Sequence, residues 1–305
     1  MKGILDRVAA APITWGVCEV AGWGHQLRRE RVLQEVSELG LHAIELGPEG
    51  FLPADPASLR SLLGSYGFEL VGGFVPVVLH LAARLEEELV AVAEVADLLA
   101  AASAEVVVLA ADSAPTGYDR SERLDTRAWM TLTHGIECVE ELAADRGLRV
   151  ALHPHYGTAI ESRRDIEQVL ENSPVSLCID TGHLAVAGAD PVEVVESASD
   201  RIGHVHLKDV DVALAARTRS GELGYREAVR RGMYRPLGQG DVDLESVITA
   251  LQASDYGGWL VLEQDRVLNE EPQKGGGPIR DARAGVEYLH RMSSHRGRQE
   301  RNVVP

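Results

Sequence analysis

The sequence predicts an α/β protein folded as one closed (β/α)₈ barrel, and three observations lead there. Short apolar runs ending in glycine or polar residues alternate with longer stretches of helical period, the pattern of parallel strands joined by helical crossovers. Eight such units spread over about 290 residues, which suits the barrel repeat. No glycine-rich phosphate fingerprint follows the first strand, as an open dinucleotide-binding sheet would carry.

Taken in order, the first strand is read at "APITWG" (11–16), before a helix over 28–39 that stops at Gly40. "AIELG" (43–47) follows, then a helix opened by "PADP", with Asp55 as N-cap and Pro56 at the first helical position. "ELVGGFV" (69–75) precedes an Ala/Glu/Leu-rich helix over 85–102, and "EVVVLAA" (105–111) a helix over 126–146 ended by Gly147. "LRVALH" (148–153), "VSLCID" (175–180), "RIGHVHL" (201–207) and "WLVLE" (259–263) complete the strands, with helices near 163–171, 191–199, 244–254 and 278–291. No linker or composition break divides residues 1–292, so they read as a single catalytic domain. The irregular interval 209–241 reads as an insertion, and 293–305 as a polar, loosely ordered tail.

Thirty basic and 47 acidic residues leave a formal charge of -17, which repels nucleic acid and anionic membrane. Cys18, Cys138 and Cys178 are odd in number and widely spaced, so reduced thiols and a cytoplasmic location are expected. The chain has no run of about 18 apolar residues, the length a membrane helix needs. Oligomeric state stays open, because apolar helix faces can pack within a barrel or against another copy in a homo-oligomer.

Barrel chemistry belongs at the carboxyl ends of the strands. Four successive strands end in metal-capable groups: His153, Asp180, His206 and Glu263, spaced by 27, 26 and 57 residues. The first two spacings are one βα unit each, and removing the insertion brings the third close to one. Two imidazoles and two carboxylates suit Mn²⁺, Co²⁺, Zn²⁺ or Fe²⁺, and Mg²⁺ less well. His155, on the same face as His153, competes with it as the first ligand. His204 and His206 alternate with Val205 and Leu207, so both imidazoles share one strand face and need partners.

The segments "HPHYGT", "DTGH", "HVHLKD", "GMYRPLGQGDVD" and "GWLVLEQD" resemble, in that order, the sugar phosphate isomerase/epimerase superfamily built on xylose isomerase-like TIM barrels. The likeness runs from residue 11 to about residue 291, and "HPHYGT" and "GMYRPLGQGD" narrow it to the myo-inosose (2-keto-myo-inositol) dehydratases. In the superfamily the four ligands are usually Glu, Asp, His and Glu. Here His153 stands where the first Glu would be, which removes one of the two carboxylate bases that epimerases use.

The resemblance implies a metal-dependent lyase that takes a small keto-cyclitol or keto-sugar, removes the α-proton and expels a β-hydroxyl. The metal would polarise the ketone and stabilise the enolate. Lys208 or His155 is expected to carry the proton transfers, with Glu263 counted among the catalytic groups. His183, Glu45 and His155 are expected to hold substrate hydroxyls, Trp15 to wall the pocket, and Arg235 with Tyr234 to lie in a lid formed by 209–241. The rivals are a sugar or cyclitol epimerase/isomerase on the same metal, an endonuclease of the endonuclease IV type, and a non-catalytic sugar-binding subunit. The acidic charge disfavours the endonuclease.

Overall fold

The computed structural model describes residues 4–113, 118–119 and 123–299. Its strands are β1 (Val8–Ala10), β2 (Ala43–Ile44), β3 (Glu69–Leu70), β4 (Gly72–Val77), β5 (Val106–Ala111), β6 (Arg149–Leu152), β7 (Ser176–Asp180), β8 (Ile202–Leu207), β9 (Asp209–Val210), β10 (Tyr234–Arg235) and β11 (Leu260–Leu262). Nine of them form one parallel sheet in the order β3-β2-β1-β11-β8-β7-β6-β5-β4. Only Val71 separates β3 from β4, so the two ends of that order are a single bent strand. The sheet therefore closes on itself as an eight-stranded barrel, as expected.

The helices are α1 (Arg29–Glu38), α2 (Pro56–Tyr66), α3 (Leu85–Ala101), α4 (Thr126–Ala144), α5 (Arg163–Asn172), α6 (Thr181–Ala187), α7 (Pro191–Ser197), α8 (Val212–Arg219), α9 (Tyr225–Arg230), α10 (Leu244–Ala253) and α11 (Pro278–Gln299). Asp55 caps α2 by accepting from the Ser58 amide at 2.8 Å. The last helix continues to Gln299, past the expected end near 291, and residues 300–305 of the expected tail lie outside the described residues. Among the described residues no helix is long and apolar enough to cross a membrane.

The first strand lies earlier than the sequence reading placed it. The ladder runs Val8–Ala10, and Ala11 N donates to Leu262 O at 3.2 Å before the chain turns into a 3₁₀ helix at Pro12–Trp15. Proline has no amide hydrogen to continue a ladder, and its fixed φ suits the first helical position instead.

Alternation along β8 sets up the site. Val205 and Leu207 face outward into the main apolar core between barrel and helices, while His204 and His206 face inward. Lower in the barrel, Val106, Val108, Ala151 and Cys178 fill the interior. At the carboxyl end, 209–241 forms an antiparallel β9–β10 pair with α8 and α9 between them. Asp209 anchors it: one carboxylate oxygen accepts from Gly238 N and Gly240 N at 2.8 and 2.9 Å, the other from Val210 N and Val242 N at 2.9 and 3.1 Å.

Candidate metal centre and cavity

Asp180, the last residue of β7, pairs in register with His206 of β8, which puts the two side chains at one height. The Asp180 carboxylate is fixed by capping α6: Oδ1 accepts from Gly182 N at 2.9 Å and His183 N at 2.8 Å. Oδ2 is left facing the barrel axis, 3.4 Å from both His206 Nδ1 and His153 Nε2. From the end of β11, Glu263 brings Oε2 to 2.6 Å from His206 Nδ1.

The tautomers follow from the partners. His206 Nε2 and His204 Nε2 lie 3.0 and 2.9 Å from Glu45 Oε1, so each donates to that carboxylate, and His206 Nδ1 is the free lone pair. His153 Nδ1 faces the Pro154 carbonyl at 3.1 Å and must donate, which leaves Nε2 free. Asp180 Oδ2, His206 Nδ1 and Glu263 Oε2 are buried without hydrogen bonds, and they crowd within 4.8 Å of one another. Lone pairs converging in a buried space call for a cation. Burial opposes charge on His206, yet Cys178, Glu263 and Glu45 hold its imidazolium well above the usual range. A divalent ion meets the same electrostatic demand, and this N₂O₂ set fits one. The metal-competent groupings include His153 and none includes His155, so geometry favours the former as first ligand.

Glu45 is buried at the cavity lining, with Oε1 held by the two imidazoles. Burial would raise its pKa, but His206 and His204 hold it well below the carboxylate range. This is the outer-shell arrangement that orients a ligating imidazole.

Lys208 is 1% exposed. Its ammonium lies 2.7 Å from Asp265 Oδ1, 3.1 Å from Glu263 Oε1, 3.2 Å from Asp180 Oδ2 and 2.9 Å from His183 Nε2. Burial disfavours the charge, but Asp180, Asp265 and Glu263 together hold its pKa well above the usual range. Its neighbour Asp209 turns the other way and faces the insertion. His155 and His183 stack with ring centroids 3.6 Å apart, and burial pushes both well below the usual histidine range, so they are neutral. His155 Nδ1 donates to the Tyr156 carbonyl at 2.8 Å, which leaves Nε2 as its basic nitrogen.

A cavity of about 620 Å³ opens onto these groups, lined by His153, His155, His206, Glu45, Glu263 and Asp265 together with Phe74, Tyr118 and Trp23. Two expectations are corrected. Trp15 is not a pocket wall: it ends the 3₁₀ turn, is fully buried in the core, and donates its indole N–H to Glu35 Oε2 at 2.8 Å. Arg235 points away from the cavity and pairs with Asp211 at 2.8 Å, because alternation along β10 sends its neighbour Tyr234 inward.

A family model described as "Xylose isomerase-like TIM barrel" matches residues 33–292. The chain belongs to that family. An inosose dehydratase of Geobacillus kaustophilus (strain HTA426) is 31% identical over 300 residues, 95% of each chain. The rhizopine catabolism protein MocC of Rhizobium meliloti is also 31% identical over 300 residues, covering 95% of this chain and 90% of the relative. Among solved structures, an L-ribulose 3-epimerase superposes with TM-score 0.71 at 17% identity over 98% of both chains. The IOLI protein with a bound zinc atom does so with TM-score 0.69 at 12% identity, covering 95% of this chain and 98% of the other. At such identities these structures speak for the fold.

Within this xylose isomerase-like barrel, sequence reading missed Asp265, Tyr225 and the partnership of His204 with Glu45. Asp265 was detectable, since it stands two residues after Glu263 in an extended stretch and so on the same side. Tyr225 carries no such signal, because its reach depends on how α9 folds over the barrel.

Proposed function

We propose that the protein is a metal-dependent dehydratase, a carbon–oxygen lyase, acting on a cyclic polyhydroxy ketone of the inosose (2-keto-myo-inositol) type. The observation that carries this is the chemistry around His153. Where a 1,1-proton-transfer epimerase needs a second carboxylate base, this site has an imidazole whose Nε2 is turned to the metal donors. Whole-length similarity to inosose dehydratases supports the same reading.

A divalent ion held by His153, Asp180, His206 and Glu263, Mn²⁺ or Co²⁺ first, would supply Lewis-acid polarisation of the ketone. The chain's own residues supply the rest. His155 presents a neutral imidazole to the cavity and takes the α-proton on Nε2. Phe74 and Tyr118 hold that ring, with centroids at 5.8 and 4.5 Å. As the carbon–oxygen bond breaks, the departing hydroxide takes a proton from the Asp265–Lys208 pair, whose carboxyl lies on the cavity wall with the ammonium 2.7 Å behind it. One proton gained by His155 and one lost by the pair balance the water released. Three free cysteines suit a cytoplasmic enzyme of cyclitol breakdown.

The test is incubation of the metal-loaded protein with 2-keto-myo-inositol, with products followed by NMR and by conjugated-carbonyl absorbance. Water loss that stops on chelation and returns with Mn²⁺ or Co²⁺ is expected. An epimerised ketone without water loss would replace this reading with the epimerase.

A further inference from the structure

Lys208 does not reach the cavity wall; it lies behind Glu263 and Asp265, and a second set of contacts leads from it into the insertion. Lys208 Nζ is 2.9 Å from His183 Nε2, and His183 Nδ1 is 3.4 Å from the Tyr234 hydroxyl. Tyr234 is 3.0 Å from the Tyr225 hydroxyl, which donates to Asp265 Oδ2 at 2.7 Å. Asp265 Oδ1 returns to Lys208 at 2.7 Å. Five side chains thus form a closed ring: Lys208, His183 and Asp265 stand beside metal donors or on the cavity wall, and Tyr225 and Tyr234 come from the insertion.

The donors run in one direction. An ammonium can only donate, so His183 Nε2 is an acceptor and Nδ1 carries the hydrogen. The Tyr156 amide N–H points at the same Nδ1 from 3.4 Å and would donate to it in the opposite tautomer; the shorter Lys208 contact, 2.9 Å from Nε2, sets the Nδ1–H form, whose hydrogen the Tyr234 hydroxyl oxygen can accept. Tyr234 then donates to Tyr225, and Tyr225 to Asp265. Every link has a donor and an acceptor, as a buried polar network requires. Gly182 makes the approach feasible, since a Cβ there would stand 2.9 Å from both Lys208 Cδ and Tyr234 Cε1.

Building on the dehydratase reading, we propose that Tyr225 and Tyr234 are positioning residues: through this ring the insertion fixes the orientation of Asp265 and His183 against the metal donors. The insertion is then part of the active site's alignment rather than a cover over apolar surface.

Two measurements test this. In ¹⁵N-histidine NMR of the zinc-loaded protein, with His183 assigned by the loss of its signals in His183→Gln, the Nδ1–H tautomer is expected, and Tyr234→Phe should shift its Nδ1 resonance. An Nε2–H tautomer in the wild type overturns the ring. In kinetics, Tyr225→Phe and Tyr234→Phe should each lower kcat roughly tenfold with KM within about twofold, and the double variant should fall little below the worse single, the non-additivity of residues acting as one unit. Unchanged kcat, independent multiplication of the two losses, or a loss explained by lowered metal content overturns it. If wild-type protein leaves 2-keto-myo-inositol intact, the dehydratase reading fails while the NMR result still decides the ring.

Discussion

Replacing Glu45 with glutamine isolates what its carboxylate charge contributes. Its Oε1 accepts from His204 and His206 at 2.9 and 3.0 Å in a setting only 4% exposed, so the charge it lends His206 is barely screened by water. Glutamine is nearly isosteric and its amide oxygen still accepts, so the two imidazoles keep a partner but lose the charge that makes His206 Nδ1 a strong donor. Outer-shell changes of this kind lower metal affinity by about 10–100-fold, or roughly 1.4–2.7 kcal/mol. Calorimetric titration of chelator-stripped protein with Mn²⁺ measures it, with the unfolding temperature as control for folding. Mn²⁺ affinity within about twofold of wild type, together with a raised KM, would refute the reasoning and return Glu45 to substrate binding.

Gly182→Ala puts a methyl against Lys208 and Tyr234, and overpacking there should cost about 1–3 kcal/mol, seen as a lower denaturant midpoint. His155 has a folded pKa held below its unfolded value by burial and by His153 and Lys208, so the unfolded chain takes a proton that the folded one refuses. Its contribution therefore makes metal-stripped protein lose stability as pH falls below about 6.5, and His155→Gln should flatten that slope in urea titrations between about pH 7 and 5. Trp15→Phe removes the bond to Glu35, which retains Arg31 at 2.8 Å. A loss of about 1 kcal/mol is expected, with kcat/KM kept near wild type; a large rise in KM would put Trp15 back on the pocket wall.

Much of the site could be read from spacing because a barrel converts sequence interval into height. His153, Asp180, His206 and Glu263 each stand at or within one residue of a strand's end, and parallel pairing in register brings such ends together. Corrections fell where a local rule admits two outcomes. At "APITWG" apolar content suggested a strand, but Pro12 cannot donate to a ladder and starts a turn, carrying Trp15 into the core. In "MYRP" period-two alternation turns one side chain inward and the next outward, and nothing local says that it is Tyr234 and not Arg235 that faces His183.

By itself, the sequence determined the barrel, the order of its units and which four metal-capable side chains stand near one another at its carboxyl end, since these rest on periodicity and on which residues fall at each strand end. Only the tertiary structure decided that Glu45 serves two imidazoles, that Lys208 lies behind carboxylates, and that Tyr225 and Tyr234 close a ring with Asp265 and His183. Those contacts join residues as far as 161 positions apart. Their geometry depends on how buried polar groups from separate strands and one folded insertion satisfy each other, and no local pattern encodes that.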